Sequence, residues 1–363
     1  MGKPKKIVIN TGGGDAPGLN AVIRGVVLAA HEKGWETWGC KYGYRGLHNT
    51  EFLVKLTPEM VWHITDMGGT ILGTANRGNP FEYPVKQPDG SVKVIDASDE
   101  IVVNFKKLGF DALIAIGGDG SLRLAQKLLK KGIPVIGVPK TIDNDLSATV
   151  MTFGFDTAVS TATDAIDKLH TTARSHERVM VVEVMGRYAG WIALNAGVSG
   201  SADVILLPEI PFDIEKVCAK IRGLEKQGQT YAIVVVAEGA KPLGGEMATL
   251  GPKDIDREVR LGGIAQRIAT AIEQKTGKET RVMVLGHLQR GGAPTTFDRL
   301  LSLRFGSAAV RFLEEGKSGV MVALAPPTVK AVPIEEAIGK MKAVPLDCDT
   351  ILTARSLGIC LGD

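Results

Sequence analysis

The chain has 363 residues, of which 44% are hydrophobic, so it can bury the core of one large or two ordinary domains and is not globally disordered. Its net charge of +3 is too small for a dedicated nucleic-acid-binding face, and no apolar run of about 18 residues predicts a membrane span. The first residues lack the apolar segment of a signal peptide and the four cysteines form no CxxC pair, so we expect idle thiols in a reducing cytoplasm.

Short apolar runs alternate with longer amphipathic runs along most of the chain. In chain order the pattern predicts strand 6–10, helix 17–33, strand 111–116, helix 121–131, strand 133–138, helix 156–175, strand 178–185, helix 188–198, strand 203–208, helix 213–227, strand 231–239, helix 261–276, strand 281–286 and helix 298–315. Apolar strands separated by helices indicate parallel sheets that are covered on both faces.

These strands are too many for one sheet, so the sequence favours an α/β protein of two doubly wound lobes. Residues 77–100 and 240–256 are rich in proline and turn signals, and we expect surface excursions there. Ligands of such folds gather at the carboxyl ends of the strands, which is where the polar clusters of this chain fall.

Two glycine-rich segments follow predicted strands and open predicted helices. TGGGDAPG (11–18) is neither a dinucleotide fingerprint nor a P-loop, and taken alone it also fits a simple strand–turn–helix. IGGDGS (116–121) leaves room for a phosphate, and Asp119 within it is a candidate Mg²⁺ ligand. The alternative for Asp119 is a helix N-cap. Two such strand ends together predict a phosphate site.

The segment GVPKTIDNDL (137–146) places a cation and two carboxylates directly after a buried strand. An acceptor hydroxyl in phosphoryl transfer needs a hydrogen-bond acceptor or base, and a carboxylate beyond a strand end can supply it. Asp143 and Asp145 are the candidates. A polar loop with a helix cap is the alternative interpretation of this segment.

The late segment GHLQRGG (286–292) also follows a predicted strand. His287 and Arg290 lie three positions apart and could grip an anion, Arg281 opens the same strand, and Arg178 precedes an earlier one. A single arginine is most often solvated, so these cations indicate a site only as a set.

Taken together, the motifs resemble those of the 6-phosphofructokinases. The matching motifs are GGDAPG (13–18), GGT-LG (68–73), GGDGS (117–121), TIDND (141–145), SHER–VVEVMGR–AG (175–190), AEG (237–239) and GHLQRGG-P--FDR (286–299). The resemblance extends from about residue 5 to about residue 310. TIDND, MGR and GH-QRGG in this order are specific, whereas GGDG alone also resembles NAD kinases and diacylglycerol kinases.

The resemblance implies phosphorylation of fructose 6-phosphate at its 1-hydroxyl, a step of glycolysis. It implies two Rossmann-like lobes with mostly parallel sheets and the active site in the cleft between them. Residues 1–154 plus 289–339 would form the lobe for the donor nucleotide and Mg²⁺. Residues 155–288 plus 340–363 would form the sugar-phosphate lobe.

The family pattern also assigns roles on the acceptor side. Asp143 would be the base for the hydroxyl, Thr141 would hold the transferring phosphate, and Arg187 would act with them in catalysis. The further residues expected at the sugar phosphate are Arg178, Met185, Gly186, Glu238, Arg281, His287 and Arg290. Arg178 and Arg281 would reach the site from a neighbouring subunit, so the resemblance implies a homo-oligomer, a tetramer or a dimer.

On the donor side the pattern assigns Asp119 to Mg²⁺ and a further set of residues to the donor. That set is Gly13, Tyr44, Arg77, Gly118, Asp119, Gly120, Ser121 and Lys140. Asn76 stands where many members have arginine, and we choose the adjacent Arg77 as the donor-side cation.

Two positions carry a mixed signature for the donor. Gly120 matches the ATP-dependent type, whereas members that use pyrophosphate usually have aspartate there. Lys140 matches the pyrophosphate-dependent type. Because ATP requires open space and a flexible lysine can move aside or bind a phosphate, we predict ATP as the donor. Pyrophosphate is the alternative.

Other functions stay open beside this one. A non-catalytic regulatory subunit is disfavoured by the intact Asp119, Asp143 and Arg187, and sedoheptulose 7-phosphate remains a possible side substrate. Control by ADP and phosphoenolpyruvate is expected to be weak or absent, because the positions that carry effector-binding cations in bacterial members have few cations here. They are Arg24, Leu28, His170, Gln227, Gln229 and Thr230.

Overall fold

The computed structural model describes residues 5–75, 79–249 and 261–363. The chain divides into two compact units. The first is Met1–Ile142, Leu146–Asp156 and Arg290–Met341, and the second is Asp143–Asp145, Thr157–Gln289 and Lys342–Asp363. The predicted donor lobe included residues 143–145, which the structure assigns to the second unit.

The described part of the chain forms thirteen strands and eleven α-helices. The strands are β1 Lys6–Thr11, β2 Glu36–Cys40, β3 Leu53–Leu56, β4 Tyr83–Lys86, β5 Val92–Ile95, β6 Ala112–Gly117, β7 Val135–Pro139, β8 Val179–Val184, β9 Val204–Leu206, β10 Ala232–Ala237, β11 Thr280–Val284, β12 Val320–Ala325 and β13 Thr328–Pro333. The helices are α1 Leu19–His31, α2 Arg45–His48, α3 Ser98–Lys107, α4 Asp119–Lys130, α5 Phe155–His176, α6 Trp191–Ser199, α7 Ile214–Lys226, α8 Ile264–Thr276, α9 Thr296–Glu314, α10 Ile334–Gly339 and α11 Asp349–Ser356.

The first unit is built on a seven-stranded sheet of order β13-β12-β7-β6-β1-β2-β3. The five inner strands are parallel to their neighbours, and the two edge strands are antiparallel. In β1, Ile7 and Ile9 pack in one core with α1 and α9, whereas Val8 packs in another with α3, α4 and α10. Both faces of the sheet are therefore buried at its centre, which is why strands β1, β6 and β7 are largely apolar.

The second unit contains a four-stranded parallel sheet of order β11-β8-β10-β9. Val179 and Val181 of β8 share a core with apolar residues of α7 and α8. Helix α6 contacts β9 and β10. Two α/β units with mostly parallel sheets confirm the predicted fold class.

Several elements differ from the sequence prediction. Strands β2, β3, β12 and β13 were not predicted, and β4 and β5 form a hairpin inside the predicted excursion 77–100. All four cysteines are free thiols, as expected. Among the described residues, no helix combines the length and the hydropathy that crossing a membrane requires.

Helices α1 and α9 approach each other through glycines. A Cβ atom on Gly25 would lie 2.9 Å from the carbonyl oxygen of Leu303, and one on Gly306 would collide with the backbone of Val22 and Val26. Because backbone atoms cannot move aside as side chains can, this interface needs glycine at both positions.

We therefore predict that Gly306→Ala destabilises the protein by about 2 kcal/mol, the usual cost of overpacking a core. The matched control is Gly223→Ala in α7, where a Cβ meets no atom within 4 Å. There alanine should stabilise by about 0.5–1 kcal/mol through helix propensity. Urea denaturation followed by circular dichroism measures both changes, and an unchanged midpoint for Gly306→Ala would contradict the proposed packing.

Candidate active site

Three adjacent strands of the first unit end at one edge of the sheet. Strands β1, β6 and β7 end at Thr11, Gly117 and Pro139, and both glycine-rich segments follow at this edge. A Cβ atom on Gly12 or Gly117 would collide with the side chain of Ser121. These two glycines therefore let the strand ends pack against the first turn of α4, and this packing explains why glycine occupies both positions.

Gly120 differs from these glycines. It lies inside α4, and a Cβ atom at this position meets no heavy atom within 4 Å. Gly120 is the second residue of this helix, and neither packing nor backbone conformation requires glycine here. What Gly120 provides is open space beside the first turn of α4.

Asp119 is the first residue of α4, and the N-cap is Gly118. The alternative interpretation of Asp119 as the N-cap is therefore wrong. Its carboxylate accepts a hydrogen bond from Arg123 Nε at 2.7 Å, and its side chain is 46% exposed. A Cβ on Gly118 would lie 3.2 Å from the carbonyl oxygen of Lys140, so the glycine allows a close backbone approach.

These features bear on a metal. The described residues contain no group of three or more His, Cys, Asp or Glu side chains that could hold an ion by themselves. Mg²⁺ commonly keeps several waters and binds one or two carboxylates together with substrate phosphates. Asp119, exposed beside the space at Gly120, fits that kind of site.

Lys140 directly follows β7 and is only 3% exposed. Its N–H donates to the carbonyl of Gly117 at 3.0 Å, and its ammonium donates to the carbonyl of Gly14. A Cβ on Gly13, whose φ is +77°, would lie 3.4 Å from Lys140 Nζ. A buried cation therefore lies against the first glycine-rich turn.

Arg290 contacts the same turn. Its Nη1 donates to the carbonyl of Asp15 at 3.1 Å, and the hydroxyl of Thr74 donates to the carbonyl of Gly13. The structure thus brings Arg290 and Lys140 of the first unit to one loop. His287, predicted to act beside Arg290, is an exposed residue of the second unit.

Tyr44 is buried in the core of the first unit. Its hydroxyl donates to the carbonyl of Ser121 at 3.0 Å, and burial raises its pKa above the usual value. In this arrangement Tyr44 supports the first turn of α4.

The predicted donor cation Arg77, and Asn76 beside it, lie outside the described residues.

In the second unit, β11, β8 and β10 are neighbours and end at a common edge. Met185, Gly186 and Arg187 follow β8, Glu238 follows β10, and His287 lies in the 3₁₀ helix after β11. Gly186 has a φ of +139°, and a Cβ there would lie 2.8 Å from the carbonyl oxygen of Ala189. The sheet therefore collects these predicted sugar-binding residues at one edge.

Gln289 was not singled out by the sequence analysis. It is fully buried, its Oε1 accepts the N–H of Met185 at 3.3 Å, and its Nε2 donates to the carbonyl of Gly286 at 3.1 Å. It thereby joins the loop after β8 to the loop after β11. Its position inside the GHLQRGG motif was the available signal.

Arg178 and Arg281 lie near the amino-terminal ends of β8 and β11, opposite the edge that carries Met185. Arg178 Nε donates to Glu279 at 2.6 Å, and Arg281 pairs with the same carboxylate. Since a six-residue strand spans about 20 Å, neither arginine reaches the edge that carries Met185 in its own sheet.

The segment that contains the candidate base meets the carboxyl-terminal part of the chain. Asn144 is buried, and its Oδ1 accepts a hydrogen bond from Lys342 Nζ at 2.8 Å. Burial lowers the pKa of Lys342 to about 8, and the nearby Asp145 carboxylate acts in the opposite direction. Thr141 lies in the first unit, where its carbonyl accepts the hydroxyl of Thr152 at 2.6 Å.

Comparison with known families adds to this geometry. Residues 6–313 match the family described as phosphofructokinase. The chain belongs to that family.

Two relatives that match nearly the full length of this chain carry different names. A protein from Clostridium perfringens named ATP-dependent 6-phosphofructokinase 2 is 51% identical over 99% of both chains. A protein from Amycolatopsis methanolica named pyrophosphate–fructose 6-phosphate 1-phosphotransferase is also 51% identical, over 94% of this chain and 96% of its own.

Among solved structures, phosphofructokinase from Pichia pastoris in the T-state matches with a TM-score of 0.79 and 29% identity. The match covers 98% of this chain but only 37% of that one, so this chain spans about a third of the yeast protein.

The strand that leads to Met185 carries a buried carboxyl group, Glu183. It accepts the N–H of Ala265 at 3.0 Å, and burial raises its pKa above the ordinary 4.5. A raised pKa means that its contribution to stability is fully present below pH 4.5 and is lost as the pH rises through the folded-state pKa.

We therefore predict that Glu183→Gln, which keeps the acceptor and removes the charge, melts at a higher temperature than the wild type at pH 8 and at the same temperature near pH 4.5. Thermal melts across this range test it, with the exposed Glu273→Gln as control. Equal melting temperatures at both pH values would be inconsistent with a costly buried charge.

Proposed function

We propose that this protein transfers the γ-phosphoryl group of ATP to the 1-hydroxyl of fructose 6-phosphate, giving fructose 1,6-bisphosphate and ADP, with Mg²⁺ as cofactor. The observation that carries the choice of donor is the open space at Gly120 beside Asp119, which the fold itself does not require. The names of the full-length relatives support the reaction, including the Clostridium perfringens protein.

The donor side of the proposal rests on the first unit. The amino-terminal turn of α4 has backbone N–H groups without partners inside the helix, and such groups favour phosphate oxygens. Lys140 adds positive charge at the glycine-rich turn 12–15. Arg290, expected at the sugar phosphate, contacts the same turn. Asp119 would hold Mg²⁺, which when bound neutralises charge on the donor phosphates.

The acceptor side rests on the second unit. Asp143 would take the proton of the sugar hydroxyl as it attacks, and Thr141 of the first unit would hold the transferring group. Met185, Arg187 and Glu238 would bind the sugar, with His287 at its phosphate. Phosphoryl transfer needs positioning and charge neutralisation more than covalent help, and such a set supplies both.

The proposal includes a homo-oligomer, a dimer or a tetramer, in the cytoplasm. Arg178 and Arg281 would complete the sugar-phosphate site of a neighbouring copy, which agrees with their distance from Met185 along the strands. Free cysteines are typical of a reducing compartment.

A second candidate is the same reaction with pyrophosphate as donor. The buried ammonium of Lys140 beside the glycine-rich turn favours it, as does the name of the Amycolatopsis methanolica relative. A small donor would need a cation at that place more than it would need the space at Gly120.

Parallel assays with ATP and with pyrophosphate separate the two candidates. We expect wild-type protein to form fructose 1,6-bisphosphate with ATP and not with pyrophosphate. Gly120→Asp should raise the KM for ATP at least about tenfold, which corresponds to 1.4 kcal/mol, without lowering the melting temperature, because the added atoms enter open space. Activity with pyrophosphate alone would mean that Lys140 decides the donor.

The role of Asp143 is tested by Asp143→Asn, which keeps the shape and removes the base. We expect kcat to fall about 10²- to 10⁴-fold, with the KM for ATP little changed, because the donor residues lie in other segments. Asp164→Asn, on the exposed face of α5, is the control and should leave kcat unchanged. A kcat for Asp143→Asn within threefold of wild type would rule out this base.

A further inference from the structure

One residue of the carboxyl-terminal segment contacts both the backbone and a side chain of the loop Asp143–Asp145. The N–H of Lys342 donates to the carbonyl of Asp145 at 2.8 Å. Its ammonium donates to Asn144 Oδ1, also at 2.8 Å. All of these residues belong to the second unit, so the contacts lie within one compact body.

The residue that Lys342 holds lies at a sharp change of backbone direction. Asn144 has a φ of +52°, in the left-handed region that asparagine adopts more readily than most residues, and it is only 4% exposed. This conformation sets the direction of the residues on both sides, and the hydrogen bond from Lys342 fixes the Asn144 side chain. The carboxylate of Asp143 directly precedes this position.

The same segment also contacts the turn that follows the sugar-binding loop. The indole N–H of Trp191 donates to the carbonyl of Lys342 at 2.8 Å. The N–H of Val344 donates to Glu209 Oε1 at 2.9 Å, and the Glu209 carboxylate accepts the N–H of Gly190 at 3.0 and 3.1 Å. Residues 342–344 therefore link the loop of Asp143 to the turn after Arg187.

The surroundings of the Lys342 ammonium disfavour its charged form through desolvation. It lies 5.7 Å from the centre of the Trp191 ring, and burial lowers its pKa to about 8. Asp145 is the carboxylate that raises this pKa, and the amide of Asn144 is the neutral acceptor. An apolar side chain at this place would remove the donor to Asn144 Oδ1 and the cation beside Asp145, so the charge of Lys342 is tied to this loop.

We infer that Lys342 is a positioning residue for phosphoryl transfer, which acts through Asn144 to hold Asp143 in register with the sugar bound at Met185–Arg187. This inference rests on the proposed function, since it assigns Lys342 to the reaction in which Asp143 is the base. Lys342 fixes geometry and does not itself exchange a proton. Its loss should therefore reduce kcat and leave the KM for ATP unchanged.

The experiment compares Lys342→Met, Lys342→Arg and the control Lys340→Met, which removes an exposed lysine from the same segment. We expect kcat of Lys342→Met to fall about 10- to 100-fold, as for a misplacement of about 1 Å, with the KM for ATP within twofold of wild type. Lys342→Arg, which keeps a cationic donor, should recover kcat to within threefold of wild type. Lys340→Met should behave as wild type.

A double-mutant cycle with Asn144→Gly tests whether Lys342 acts on kcat through Asn144. The cycle remains informative if Lys342→Met melts at a lower temperature than the wild type. Glycine accepts the φ of +52° without strain and lacks the acceptor oxygen. If Lys342 acts through Asn144, Lys342→Met should lower kcat less than twofold in that background. A full tenfold loss there would overturn the inference.

The pH profile gives a readout that a purely structural role would not move. Lys342 loses its charge as the pH rises through its pKa of about 8, and the neutral amine donates a weaker hydrogen bond to Asn144. The kcat of the wild type should therefore fall above pH 8, while that of Lys342→Arg stays level. A kcat of Lys342→Met within threefold of wild type would overturn this inference and leave the proposed function standing. Wild-type protein that forms no fructose 1,6-bisphosphate would instead overturn the proposed function.

Discussion

Parallel strands that are buried on both faces can carry polar chemistry only where they end. In both units the inner strands are mostly apolar, and most residues of the candidate site follow the strand ends. Because neighbouring parallel strands end at one edge, sequence segments more than a hundred residues apart are brought together. The glycine-rich turns after β1 and β6 and the lysine after β7 meet in this way.

Glycine has two different uses in this framework. Gly25, Gly306, Gly12 and Gly117 allow close approach of helices or strand ends, and another residue there would collide with the protein itself. Gly120 has no such neighbour. The distinction between the two kinds of glycine follows from a structure and cannot be read from the sequence.

The sequence predicted the central elements because buried parallel strands have an unmistakable apolar pattern. It missed β2 and β3, where ETWGC and LVKL mix polar and apolar residues near a sheet edge. It also missed β12, which is as apolar as the predicted strands, because β13 returns antiparallel after a tight turn and no helix separates the two strands.

Motif residues of the site could be found in the sequence, since chemistry restricts their types and spacing. Gln289 lies within such a motif but was not singled out, and Lys342 could not be assigned in this way, because it acts on its partner through tertiary contacts. Lys342 lies 198 positions from Asn144, and a lysine in a polar carboxyl-terminal segment has no local signature. Positioning residues are hidden in a single sequence for this general reason.

The division of the chain has a consequence for its synthesis. The polypeptide passes from one unit to the other five times, and each unit includes one of the last two segments, Arg290–Met341 and Lys342–Asp363. On the ribosome, α1 therefore emerges long before α9 exists to cover it, and the loop of Asp143 emerges before Lys342. Neither unit can be completed before its last segment has been made, so the early elements of each unit must wait for partners that are synthesised much later.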